Sequence, residues 1–206
     1  MRPLRPVIGI VGSAGAYGRW LQQFFEQAMG LQVIGHDPAD TGSASPEQVI
    51  AGAQVVIFSV PIRHTAQIIG QWVAMADGRE AAQLWLDITL VKVAPVQALL
   101  ASRAAVAGLH PMCAPPKSPT LKGRPLVVCA VRTGSWQGWL DQLCAALQAQ
   151  CVQATPEHHD RMMALVQAMV HATSLAQASV LREQQDWLGA LEAVLRRVKG
   201  LFEAIE

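Results

Sequence analysis

The chain has 206 residues, with 16 Lys+Arg against 15 Asp+Glu and a formal net charge of +1, so it lacks the basic excess that holds a protein to nucleic acid. Apolar residues make up 51% and charged residues 15%, the latter below the roughly 25% of an average soluble domain. Such a chain is not disordered, and it is long enough to bury a sizeable core. In chain order, Val7–Val11, Leu31–Ile34, Val55–Ser59, Leu84–Asp87, Ala105–Gly108 and Leu126–Ala130 are short β-branched or apolar runs that predict strands. Between them, Tyr17–Met29, Thr65–Ala76 and Pro95–Ala101 carry apolar residues at helical spacing. This alternation predicts an α/β domain over residues 1–154, a mostly parallel sheet with helices on both faces.

From residue 155 the pattern is helical alone, a short all-helical C-terminal extension over 155–206. Thr155-Pro156 is a start signal, since Thr caps free amides and Pro suits the first helical position. The helix that follows, from Glu157 to about Arg182, places Met162, Leu165, Val166, Met169 and Val170 on one face. A last helix over 183–206 carries Trp187, Leu191, Val194, Val198, Leu201 and Ile205 as a seam, which either packs on its own domain or joins a second copy as a homodimer. The opening run is too short for a signal peptide, and no stretch approaches the ~18 apolar residues of a span, so a cytoplasmic protein without membrane contact is expected. Cys113, Cys129, Cys144 and Cys151 form no C-x-x-C pair and are expected as reduced thiols packed like small hydrophobes.

Gly12-Ser13-Ala14-Gly15-Ala16-Tyr17-Gly18 joins the first strand to the first helix. Glycines there allow a tight turn, close approach of a pyrophosphate and tight helix–strand packing, while the helix N-terminus offers amides and a positive dipole end. The spacing G-x-x-G-x-x-G departs from the usual G-x-G-x-x-G, so its context matters. Asp37, 19 residues beyond Gly18 at the end of the second strand, either accepts the adenosine ribose hydroxyls, favouring NAD over NADP, or merely begins a turn with Pro38. The third strand ends in Ser59-Val60-Pro61, beside the crevice where a nicotinamide would lie in a Rossmann-like sheet.

His110, in Gly108-Leu109-His110-Pro111-Met112 on the loop expected after the fifth strand, is the candidate catalytic residue. An imidazole can take a hydroxyl proton while hydride leaves the same carbon. Gln167 and His171 share a helical face and could line a substrate pocket or form a polar stripe at the domain junction. Lys92 either aids an anionic substrate or is simply exposed. His158-His159-Asp160 could suggest a metal, but adjacent helical residues diverge by about 100° and no metal site is expected.

Taken in order, Ile10 to Gly18, Phe58-Ser59-Val60-Pro61-Ile62 with Thr65, Leu86-Asp87-Ile88-Thr89-Leu90-Val91-Lys92, Gly108 to Met112, and His159-Asp160-Arg161-Met162-Met163-Ala164 ahead of Gln167 and His171 resemble one family. It is the prephenate dehydrogenase family, in particular the dehydrogenase domain of the bifunctional chorismate mutase/prephenate dehydrogenase, and the resemblance runs from about residue 6 to about residue 172. It implies oxidative decarboxylation of prephenate, with hydride passing from ring C4 to NAD⁺, and assigns His110 to the substrate hydroxyl. It assigns Gly12 to Gly18 and Asp37 to the dinucleotide, and Ser59, Val60, Pro61 and Thr65 to positions beside the nicotinamide.

Several positions depart from the family. Leu90 stands where a serine usually helps organise the histidine and the substrate, and Cys113-Ala114-Pro115-Pro116 replaces a Phe-Gly or Ala-Gly pair. The sequence ends at Glu206, before the multi-helix region that carries the family's carboxylate-binding arginine, and Arg182, Arg196 and Arg197 do not align with that arginine. These departures keep alternatives open: an analogue such as 4-amino-4-deoxyprephenate, a specialised-metabolism oxidoreductase or reductase on another substrate, or a non-catalytic nucleotide- or partner-binding relative.

Overall fold

The structure, a computed structural model, describes residues 5–113 and 120–183. The chain divides into two compact units, the first ending at Arg161 and the second beginning at Met162.

In the first unit seven strands form one sheet in the order β2-β1-β3-β4-β5-β6-β7. They are β1 Ile8–Val11, β2 Val33–His36, β3 Val55–Phe58, β4 Leu84–Asp87, β5 Ala105–Pro111, β6 Pro125–Arg132 and β7 Gln150–Gln153. Every neighbouring pair is parallel except β5 and β6. Strand order reverses between β1 and β3, and the crevice beyond the carboxyl ends of two such strands is where open α/β sheets bind ligands.

The helices are α1 Ala16–Gln23, which continues as a π-helical turn over Phe24–Ala28, α2 Pro46–Gly52, α3 Thr65–Ala76, α4 Val93–Leu100, α5 Gln137–Leu147 and α6 Pro156–Glu183. Alternate residues of each central strand feed opposite faces, as the strand's two-residue period requires. Val55 and Ile57 of β3 pack with Leu21, Phe25, Trp139 and Leu143 from α1 and α5. Val56 and Phe58 pack with Val49, Ile69, Trp72 and Leu99 from α2, α3 and α4. This double coverage is why the central strands read as unbroken apolar runs.

Three elements escaped the sequence pattern. α2 is only seven residues long, though Ser45 and Gln48 form a reciprocal capping box ahead of Pro46. α5 buries Trp139, Leu140, Leu143 and Leu147. β7 has all four residues exposed, so no apolar alternation announces it.

The second difference concerns β5, which runs on to Pro111 because β6 pairs with it that far, with His110 opposite Val127 and Pro111 opposite Leu126. His110 therefore sits inside a strand and not on a following loop. The thiols also differ from expectation in part: all four cysteines are free, but only Cys129 is buried and Cys151 is exposed on the edge strand β7.

α6 begins as expected, with the Thr155 hydroxyl accepting the His158 N–H at 3.1 Å. In the second unit, the α6 face formed by Met162, Leu165, Val166, Met169 and Val170 is exposed. The expected last helix falls outside the described residues, as do Ala114, Pro115 and Pro116. Among the described residues no helix is long and apolar enough to cross a membrane.

Candidate active site

The carboxyl ends of β1, β3, β4 and β5 share one edge of the sheet, and the functional side chains gather there. At the end of β1, Gly12 turns the chain with φ +88°, a region that side chains resist. A Cβ on Gly12 would also lie 2.3 Å from the Ser59 carbonyl oxygen, so the turn and the end of β3 touch through backbone alone. Gly18 closes the motif from inside α1, where a Cβ would lie 2.1 Å from the Gly12 carbonyl oxygen. Gly15, between them, is the exposed N-cap of α1, and a Cβ there would meet only that same oxygen at 3.3 Å. The first turn of α1 thus leaves amides facing open space at the mouth of the crevice.

Asp37 follows β2 and leans back onto this turn: its Oδ2 accepts the Ala14 N–H at 3.0 Å. Its other oxygen accepts the Ala39 N–H at 2.9 Å, so Asp37 both begins a turn and meets the glycine motif. Ser13 is buried against Gly35 of β2.

A cleft of about 340 Å³ opens beside the turn, lined by Gly15, Ala16, Tyr17, Ser59, Val60 and Pro61, together with Ile62, Ile88, Thr89 and Leu90. A larger cavity of about 560 Å³ lies by Pro6, Gln54 and Gln83 at the amino ends of the strands, away from all of these groups. Thr65 does not line the cleft. It is fully buried, and its hydroxyl donates to the Pro61 carbonyl at 3.2 Å, fixing the loop that does.

His110 lies behind this cleft, 7% exposed, on the strand next to β4. The Tyr17 hydroxyl bridges the two places by donating to the Pro111 carbonyl at 3.5 Å. His110 Nδ1 is 2.9 Å from His159 Nε2, and His159 Nδ1 is 2.8 Å from Asp160 Oδ1. Asp160 in turn accepts the N–H of Lys92 at 2.7 Å and that of Val93 at 2.9 Å, capping α4 from the first turn of α6. Lys92 is buried, contrary to the expectation of an exposed lysine. Its Nζ pairs with Asp87 Oδ1 at 2.5 Å and donates to the Leu109 carbonyl at 2.8 Å, one residue before His110.

Burial sets the charges here. It drives the His110 imidazole down to about 4, with His159 and Lys92 acting in the same direction and Asp160 opposing them, so the ring is neutral at pH 7. Burial pushes the Asp87 carboxyl up and the Lys92 ammonium down, while each holds the other charged. At Asp160 burial acts upward, but the Val93 N–H, His159 and the Lys92 N–H outweigh it and keep the carboxyl below its ordinary value. The Tyr17 hydroxyl is raised well above its usual range by burial and by the Cys113 thiol beside it.

Comparison with known proteins shows what the chain resembles. No protein-family model matches the chain. The T-protein of Enterobacter agglomerans is 33% identical over 203 residues, 95% of this chain and 51% of that protein. The 4-amino-4-deoxyprephenate dehydrogenase of Streptomyces pristinaespiralis is 30% identical over 200 residues, 88% of this chain and 65% of that protein. Over most of its length the chain is similar to members of the prephenate dehydrogenase family. It spans between about half and two thirds of the length of these two relatives. The crystal structure of prephenate dehydrogenase from A. aeolicus in complex with hydroxyphenyl propionate and NAD⁺ shares the fold, with a TM-score of 0.71 at 18% identity over 88% of this chain and 71% of that one.

The structure gathers Gly12 to Gly18, Asp37, Ser59, Val60 and Pro61 around one crevice, with His110 behind it. The side chains of Gln167, His171 and Arg182 on α6 lie outside what the structure describes, as do Arg196 and Arg197. Sequence reasoning missed the side chains that hold His110. The sequence offers His159 and Asp160 as part of an incomplete metal pattern and of the family resemblance, with no role toward His110, although Thr155-Pro156 places them in the first turn of a helix. Asp87 and Lys92, the ends of Asp87-Ile88-Thr89-Leu90-Val91-Lys92, sit within a largely apolar stretch, the signal that both are buried.

Proposed function

We propose that the chain is an NAD⁺-dependent dehydrogenase that oxidatively decarboxylates prephenate or a close analogue to the arylpyruvate. The observation that carries this reading is a neutral, buried imidazole, His110, joined through Pro111 and Tyr17 to a glycine turn at the strand-order reversal of the sheet. On this reading residues 1–154 are the nucleotide-binding part and 155–206 the part that serves substrate and dimerisation.

The turn suits a dinucleotide on its own geometry. Gly12 and Gly18 are filled in by backbone, whereas the approach to Gly15 is open to a pyrophosphate in front of the α1 amides. Asp37, held at the Ala14 N–H, offers a carboxylate to ribose hydroxyls and repels a 2′-phosphate, which selects NAD⁺ over NADP⁺. Bound there, NAD⁺ supplies the hydride acceptor. Ser59, Val60 and Pro61 wall the nicotinamide end, with Thr65 bracing their loop.

The protein's own work is alignment and proton acceptance. His110 takes the proton of the C4 hydroxyl as hydride leaves C4; carbon dioxide then leaves C1, its bonding electrons make the ring aromatic and reach the C4 oxygen, and that oxygen takes the proton back as the phenol. Leu90 lines the cleft and offers no hydrogen bond, so the group on C4 is met by His110 without help from that position. That feature and the likeness to a 4-amino-4-deoxyprephenate dehydrogenase favour a second reading, the 4-amino analogue as substrate. Gln167 and His171 remain the candidate substrate contacts of this reading, and the exposed α6 stripe is the face offered to a second copy, in a homodimer acting in the cytoplasm.

Purified protein given prephenate and NAD⁺ is expected to form NADH and 4-hydroxyphenylpyruvate, with little NADPH from NADP⁺ and none in an enzyme-free blank. Turnover only with the 4-amino analogue moves the assignment to that substrate. Tight NAD⁺ binding with no turnover of either refutes the enzyme reading and favours a nucleotide-responsive relative.

A further inference from the structure

We propose that His159 and Asp160 are positioning residues that dictate which nitrogen of His110 carries the proton, leaving Nε2 as the free base. The proposal rests on the reading of His110 as proton acceptor and adds how that acceptor is kept ready.

The direction of the hydrogen bonds is forced from one end. The N–H groups of Lys92 and Val93 can only donate, and between them they occupy both oxygens of Asp160. Against burial, these bonds and His159 hold the Asp160 carboxyl below its ordinary value, so it is an ionised acceptor, and the nitrogen 2.8 Å from its Oδ1, His159 Nδ1, carries a hydrogen toward it. We take His159 as the uncharged ring: with its hydrogen on Nδ1, its Nε2 keeps a lone pair. That lone pair lies 2.9 Å from His110 Nδ1, so His110 donates from Nδ1 and its Nε2 is left with a lone pair. Two backbone amides at the start of α4 thus set the tautomer of a ring on β5, through two side chains of α6.

The same line serves the proton transfer. When Nε2 of His110 gains a proton, the imidazolium points its Nδ1–H at His159, with the Asp160 carboxylate behind it. The charged and titratable groups acting on His110 are His159 and Asp160 of α6 and Lys92 at the head of α4, the last neutralised by Asp87 of β4. Lys92 also fixes the strand itself through the Leu109 carbonyl, so the ring is held at its backbone and at its Nδ1.

The test combines ¹⁵N-detected histidine NMR of the full chain with steady-state kinetics. In the wild type His110, assigned by its loss in His110→Asn, is expected with hydrogen on Nδ1. Asp160→Asn puts an amide donor into the acceptor's place and is expected to move that hydrogen to Nε2. His159→Leu is expected to lower kcat about 10–100-fold, the usual effect of losing a partner that orients a reacting group, with KM for NAD⁺ within about twofold. His159→Gln, which keeps a donor toward Asp160 and an acceptor toward His110, is expected to recover most of that loss. Hydrogen on Nε2 in the wild type, or unchanged kcat and tautomer in His159→Leu, would overturn the proposal. The NMR result is independent of substrate: a shifted tautomer in Asp160→Asn supports the relay even if prephenate is not turned over, an outcome that would defeat the reaction assigned above and not this inference.

Discussion

The crevice at Gly12 and the wall at His110 lie on the same edge of one sheet, yet they are built differently. The crevice is backbone: Gly12, Gly15 and Gly18 act within seven residues of one another, through what a Cβ would obstruct. The wall is side chains: Asp87, Lys92, His110, His159 and Asp160 come from β4, α4, β5 and α6, and the bonds between them span up to 68 residues of sequence. Backbone sites tolerate change in the residues between the glycines, whereas a buried polar network fails when one member loses its partner. The comparison therefore predicts that the two regions break in different ways.

The largest effect is expected at the buried pair. Lys92→Met leaves Asp87 buried and unpaired and should cost about 3–5 kcal/mol of stability, read by denaturant unfolding. Replacing both members, as Asp87→Asn with Lys92→Met, should recover much of it. Next, His110→Asn should cut turnover by at least about 100-fold while NAD⁺ affinity, measured by titration calorimetry, stays put. In the unmodified protein, turnover should rise as pH climbs through about 4, where His110 becomes neutral, and lie flat near neutrality. An acid limb near the ordinary histidine value would contradict the burial that depresses it.

On the crevice side Gly18→Ala pushes a methyl against the Gly12 carbonyl and should cost about 1–3 kcal/mol, as overpacking does, with NAD⁺ binding weakened alongside stability. Asp37→Ser should have the smallest effect, narrowing the preference for NAD⁺ over NADP⁺ by about tenfold, the size of one hydrogen bond to a charged group. An unchanged cofactor ratio would remove Asp37 from the ribose site.

The same contrast explains what could be read without coordinates. The crevice was legible because its demands are local: an apolar run, glycines at a turn, a helix start and an acidic residue after the next strand. His110 was legible as a reacting group, but its place inside β5 depends on the partner strand β6, which no local pattern reveals. His159 and Asp160 read in the sequence as part of an incomplete metal pattern and of the family resemblance, because the partners they bond are 49 residues away for His159 and 68 for Asp160. β7 was invisible for a related reason, since an edge strand with every residue exposed owes its existence to hydrogen bonds with β6 and not to its side chains.

The most direct test of the account is a single-turnover measurement of NADH formation from prephenate at neutral pH, with enzyme in excess, in the wild type and in His110→Asn. The account predicts a prephenate-dependent burst in the wild type that slows at least about 100-fold in the variant while the amount of bound NAD⁺ is unchanged. Equal rates in the two proteins, or no NADH from either despite bound NAD⁺, would contradict it.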